Sequence, residues 1–275
     1  MSRALALLMA LGALLLSGCG QIDAIRHDFI AMRYMQEAEA HATGIPRDSA
    51  RAIEELDRAV ELMPDDAELQ RRAARLYTVA RAWHRAIPLF EAQGELGPQD
   101  RLVYAQCLLA AGRTEAGAAI CLETIANVMQ QREGARTTQP EWALLLNDAG
   151  YILADADSNI DRAWEAISIA VEAMPLQAAF IDSLGWAAYR RGDLSDAAFY
   201  LERGRRHSAY DDPEMLYHLG VVYGRLGRFG DATKALEKAH ELAPDWEEIE
   251  KELRRIGRIF PRPALATDPD ESGAA

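Results

Sequence analysis

Lysine is nearly absent: Lys234, Lys238 and Lys251 are the whole complement, so basic charge rests almost entirely on arginine. Acid still outweighs base, 43 Asp and Glu against 30 Lys and Arg, for a formal net charge of −13. That balance excludes nucleic acid as a partner class, because binding a phosphate backbone needs a basic face to displace counterions. Cysteine is scarce too. Cys19, Cys107 and Cys121 form no Cys-x-x-Cys and have no histidine pair near them, so no zinc ligand set exists. Aromatic residues make up 7% of the chain while Ala and Leu dominate its 49% hydrophobic share, which favours helices over sheets. No Gly-x-Gly-x-x-Gly and no P-loop occur, leaving nucleotides without a foothold. His27, His41, His84, His207, His218 and His240 make no His-Glu-x-x-His motif and are read as helix-surface residues. Asp155-Ala156-Asp157-Ser158-Asn159 imitates the opening of a calcium loop, but Ile160 stands where glycine is needed and Ala166 where the bidentate Glu belongs. Ser158 or Asn159 is better read as the N-cap of a helix starting near Ile160. The expectation is a protein without catalytic residues, cofactor or metal.

What is present begins with an address. Arg3 opens a short positive segment, and Ala4 to Leu16 is unbroken apolar sequence. As a helix that run rises about 20 Å, too short for a hydrocarbon core of about 30 Å, so it reads as a signal peptide over residues 1–18. Leu16-Ser17-Gly18-Cys19 then resembles the lipobox of bacterial lipoproteins. The resemblance implies that Cys19 is acylated and becomes the new N-terminus, with residues 19–29 as a lipidated linker. Loss of Arg3 with the leader would leave the mature chain at −14. More than one acyl chain would anchor it firmly, since a single chain binds membranes marginally. Gly20 stands where inner-membrane lipoproteins of this kind carry Asp, which favours a periplasmic body on the outer membrane. The competing reading is an ordinary secretory signal with an incidental cysteine.

A repeat governs the rest. Two segments align without a gap at a 35-residue offset: Leu184-Gly185 with Leu219-Gly220, Gly192 with Gly227, Ala197 with Ala232, and Leu201 with Leu236. A fixed period in this range means a solenoid. Gly185 and Gly220 mark a close approach of two helices, Gly192 and Gly227 end the first helix in a left-handed conformation, and Pro244 stops the second. This pattern resembles the tetratricopeptide repeat. The same frame continues upstream with decreasing fidelity, through Ala149-Gly150, Ala163 and Ile167, then Ala105, Gly112 and Cys121, then Ala74, Ala86 and Phe90. The implied fold is all-α: a right-handed superhelical solenoid of about six helical hairpins with a C-terminal capping helix. Its expected divisions are divergent hairpins over 30–130, three repeats over 141–246, a cap over 247–260 with an apolar stripe at Ile249, Leu253 and Ile256, and a disordered acidic tail over 261–275.

By the same resemblance, successive first helices form a concave groove for partner peptides. The groove positions carry Asn147, Tyr151 and Asp155; Asp182, Trp186, Tyr189 and Arg190; and Glu214, Tyr217 and Arg225. Asp182, Trp186 and Tyr189 share one helix face, and aromatics with arginine are the types that anchor interfaces. Packing between hairpins is the competing reading for Trp186 and Tyr189. The carboxylate clamp of lysine and asparagine found in chaperone cofactors of this family is missing. Cys107 and Cys121 are either two buried thiols or a disulfide within one hairpin. The functional expectation is a membrane-anchored scaffold that binds an envelope protein or peptide. The alternative is an assembly factor for an outer-membrane complex, similar to pilotin or barrel-assembly lipoproteins.

Overall fold

The computed structural model describes residues 26–133 and 139–259. The leader, Cys19 and the tail from 261 lie outside the described residues. Thirteen helices and no strands occur among those described, and they pair into six hairpins. Helix α1 covers 26–43 and pairs with α2 (Ser49–Leu62). Then follow α3 (Ala67–Val79) with α4 (Trp83–Glu91), and α5 (Pro98–Ala110) with α6 (Thr114–Arg132). The last three hairpins are α7 (Pro140–Asp155) with α8 (Ile160–Ala173), α9 (Ala178–Arg191) with α10 (Leu194–His207), and α11 (Pro213–Arg225) with α12 (Phe229–Leu242). Helix α13 (Glu247–Ile259) closes the array and seats Ile249 and Ile256 on the last hairpin.

Local chemistry sets the boundaries. The Asp66 side chain accepts from the amides of Glu68 and Leu69, and Asp212 from those of Glu214 and Met215, filling donors that a helix start leaves open. Pro98, Pro140 and Pro213 occupy first-turn positions, where the missing N–H removes no helical bond. Asn159 holds the N-cap position of α8 in a left-handed conformation, but its side chain makes no capping bond and donates to Ser158 Oγ instead. In the last five hairpins the turn between first and second helices takes positive φ, and Gly112, Gly192 and Gly227 supply it at 79°, 88° and 77°. Arg81 and Asp157 take the same role at 59° and 53°, which costs a residue with a Cβ about 1 kcal/mol.

Within each of the last four hairpins a glycine, Gly117, Gly150, Gly185 or Gly220, lets the helices touch. A Cβ on Gly185 would lie 2.7 Å from Leu201 Cγ and 2.9 Å from the Leu201 backbone nitrogen; one on Gly220 would lie 2.4 Å from Leu236 Cγ. Ile167, Leu201 and Leu236 are fully buried. Each contributes about 1.5–3 kcal/mol by leaving water. First helices also meet one another from hairpin to hairpin, α5 with α7, α7 with α9 and α9 with α11, so they form the inner surface.

Cys107 and Cys121 are free thiols, which corrects the disulfide alternative. Although α5 and α6 form one hairpin, the two side chains serve different cores. Cys107 packs toward the preceding hairpin with its sulfur 3.1 Å from Thr78 Oγ1, while Cys121 packs among Ala149, Ile125 and Leu146. Burial pushes the thiols up to about 11 and about 12 respectively.

The array curls until its last hairpin meets its first two. The Arg47 amide donates to the Leu242 carbonyl at 3.2 Å, and the Ser49 amide to Asp245 Oδ2 at 2.8 Å. Arg81 stacks on the Trp246 ring at 4.5 Å and reaches Glu248 at 3.8 Å. These contacts form a seam that turns an open groove into a ring.

Candidate functional site

Inside the ring, the first helices α3, α5, α7, α9 and α11, with the start of α13, surround a chamber of about 530 Å³. Its floor is an aromatic stack. Trp186 lies nearly parallel to the His218 imidazole, centroids 4.1 Å apart at 18°, and meets Tyr189 at 4.8 Å. Tyr217 bridges Trp186 at 6.1 Å and Trp246 at 4.9 Å, which carries the stack across to the seam. Arg190 covers Trp186 at 4.8 Å and donates to the Asp155 carbonyl at 2.8 Å. Cation–π and stacking contacts of this kind contribute about 0.5–1.5 kcal/mol each beyond the area they bury.

Polar groups ride on this floor with a repeat logic. Tyr151 donates to Glu214 Oε1 at 2.5 Å, Trp186 Nε1 to Asp155 Oδ1 at 3.3 Å, and Arg225 Nε to the Tyr189 hydroxyl at 3.2 Å. The central pair is His218 Nδ1 with Asp182 Oδ2, 2.8 Å apart and both buried. Burial by itself would lower the imidazole, but Asp182 beside it, with Glu214 and Asp155 nearby, leaves it raised above its ordinary value. Glu214 is raised by desolvation, with Asp182 and Asp155 adding to it against the opposing pull of His218 and Tyr151. Tyr151 is pushed well up by desolvation and by Glu214 and Asp155; Tyr217 goes up to about 12 by desolvation and by Glu252, Glu248 and Asp155. The chamber wall carries both signs, Asp155, Glu214 and Glu248 against Arg47, Arg81 and Arg190, with the carboxylates gathered around Tyr151 and His218.

The structure sorts the groove positions into three groups. Tyr151, Asp155, Arg190, Glu214 and Tyr217 line the chamber, and Trp186 borders it although only 2% exposed. Asn147 and Asp182 are buried one helical turn behind Tyr151 and Trp186, with Asn147 Oδ1 and Asp182 Oδ1 lacking donors. Tyr189 and Arg225 border a separate, shallower recess at the end of α9, which Arg190 also touches. Trp186 is thus chiefly a packing residue, because His218 and Tyr189 occupy its faces.

Sequence reasoning missed His218, Arg47, Arg81, Trp246 and Glu248. His218 is not a surface residue: it is 1% exposed, since it falls on the inner side of α11 directly over Trp186. A signal existed in the spacing. In an array of period 35, residues 35 or 36 apart face each other across neighbouring first helices, as Asp155 and Arg190, Tyr189 and Arg225, and Asp182 and His218 all do. The four seam residues carry no such signal, because the closure that assembles them joins positions nearly 200 apart.

Comparison with known proteins agrees with this architecture. The sequence model of the tetratricopeptide repeat matches residues 213–246, which hold α11, α12 and Trp246. The TPR repeat-containing protein PA4667 of Pseudomonas aeruginosa is 33% identical over 124 residues, 45% of this chain. The match spans only 19% of that protein's own length. Among solved structures, PilW, described as a widely conserved type IV pilus biogenesis factor, superimposes with a TM-score of 0.51 at 14% identity, covering 85% of this chain and 97% of PilW. That likeness is one of fold. The fold is therefore an all-α solenoid of tetratricopeptide-like hairpins, one of which matches the sequence model of the repeat, and none of these matches indicates a catalytic family.

Proposed function

We propose that this chain is a lipid-anchored scaffold of the bacterial cell envelope that holds a segment of a partner protein in its inner chamber. The observation that carries the reading is the chamber itself. Aromatic rings and charges of both signs converge on one solvent-reached cavity, while the polar groups there are tied to one another rather than arranged as a nucleophile with its base. Acylation at Cys19 would place that cavity a short linker away from a membrane, with the outer membrane favoured by Gly20. Fold alone does not name the partner.

The test is photo-crosslinking in cells of the full chain with a photo-reactive residue at Tyr217, inside the ring, or at the exposed Phe199 on α10. A single envelope protein captured from Tyr217 and not from Phe199 is the expected result. Equal capture from both, or co-purifying partners with no capture from Tyr217, would move the binding surface elsewhere. A Cys19→Ala variant should leave the membrane fraction; full retention there would sink the anchor.

A further inference from the structure

Resting on the reading that the chamber holds a partner segment, the chemistry of its walls says what kind of segment. Shape comes first. The seam closes the ring sideways, and a volume of about 530 Å³ is too small for a folded domain and suits a short length of chain. It falls within the roughly 300–1,000 Å³ of ligand pockets.

Charge comes second. The other carboxylates bordering the chamber have a cation of this chain in reach: Asp155 has Arg190 at 3.9 Å and Glu248 has Arg81 at 3.8 Å. Glu214 does not; its partner is the neutral Tyr151 hydroxyl, and no Lys, Arg or His among the described residues comes within ion-pair distance. Behind it, Asp182 Oδ1 and Asn147 Oδ1 are both buried acceptors without donors. On the seam side, Trp246 borders the chamber at 7% exposure, and its buried Nε1–H lacks an acceptor. The His218 imidazole is raised against its own burial, chiefly by its partner Asp182, with Glu214 and Asp155 adding to it.

We propose that the chamber takes an extended polypeptide segment presenting a lysine or arginine side chain, with the cation at Glu214 and Asp155 and the stem against Tyr151 and Tyr217. Asp155 follows Tyr151 by one helical turn on α7, and Tyr151 touches Glu214, so both carboxylates flank one phenol ring. Carboxylates set beside aromatic walls are an arrangement that binds organic cations.

Three capped pentapeptides, Gly-Ser-X-Ser-Gly with X as lysine, norleucine or glutamate, test this against the full chain by equilibrium binding. The lysine peptide should bind about tenfold or more tighter than the norleucine peptide. Glu214→Gln and Asp155→Asn should each erode that preference without changing helix content. The bound lysine peptide should also lower the His218 titration point followed by NMR, which a purely structural Glu214 would not produce. Equal affinity for all three peptides overturns the cation site while leaving segment binding intact. Preference for glutamate overturns it in favour of Arg47 and Arg81 as the readers. No binding of any peptide at about 1 mM overturns it as well; capture from Tyr217 then decides the broader reading separately.

Discussion

Opening the seam is the perturbation that separates a ring from a merely curved groove. Arg81 sits at the left-handed turn position that Gly112, Gly192 and Gly227 fill in other hairpins, so Arg81→Gly suits the local backbone better while removing the side chain that reaches Trp246. Relief of the positive φ should return about 1 kcal/mol to the turn. Against that stand the lost contacts. The Arg81–Glu248 pair is roughly half exposed on both sides and contributes at most about 1 kcal/mol. The cation–π contact adds about 0.5–1 kcal/mol. The Ser49 amide to Asp245 and the Arg47 amide to the Leu242 carbonyl each add about 1 kcal/mol. Closure is thus favoured by roughly 2.5–4 kcal/mol, which corresponds to an open population of roughly 0.1–1.5%. The double variant Arg81→Gly, Asp245→Ala should remove about 2 kcal/mol of this and raise the open population to roughly 3–30%. Hydrogen exchange reads it directly. Protection of the Arg47 amide, whose acceptor the variant keeps, should fall roughly 30-fold while amides inside α9 and α11 keep theirs, and the radius of gyration in solution scattering should increase. Unchanged protection at the Arg47 amide would refute the reasoning. So would a loss of protection spread evenly through α9 and α11, since that would be global unfolding.

Gly185→Ala should destabilise by about 1–3 kcal/mol, and more than Gly220→Ala, because the new methyl meets the Leu201 backbone at 2.9 Å in one case and only the Leu236 side chain in the other. Urea melts giving the reverse order would contradict the packing account. His218, faced by Asp182, Glu214 and Asp155, is raised in the folded state, so its pairing supplies stability that is complete below about pH 6.5 and is lost as the pH rises through the folded value. His218→Gln should flatten that decline; parallel pH profiles for variant and wild type would count against it. Cys107 and Cys121 should resist alkylation at pH 8 in the native state and react together on unfolding, because burial raises both thiols. Rapid labelling of either in folded protein would refute their placement. Leu201→Ala removes a fully buried side chain and should cost about 2–5 kcal/mol by thermal or urea melting.

Hairpins were legible in the sequence because their determinants are local. Gly192 and Gly227 announce a left-handed turn whatever surrounds them, and the 35-residue echo from Leu184-Gly185 to Leu219-Gly220 reflects one packing solution used twice. The candidate site was legible in part. Tyr151, Asp155, Glu214 and Tyr217 follow from helix periodicity, which fixes the inward face of each first helix. Trp186 was placed on the right face and still turned out to be packing, since exposure depends on what the neighbouring hairpin sets against it.

The sequence by itself determined the helices, their pairing and the face each turns inward, because helix propensity, caps and apolar period act over a few residues. Only the tertiary structure decided that the array curves far enough for Asp245 to reach Ser49. Curvature accumulates from small rotations at every hairpin interface, and no single repeat encodes the sum. That closure also decided that a histidine indistinguishable from five others would be buried against Asp182 and that Trp246 and Arg81 would wall a chamber. Their meeting depends on the whole ring.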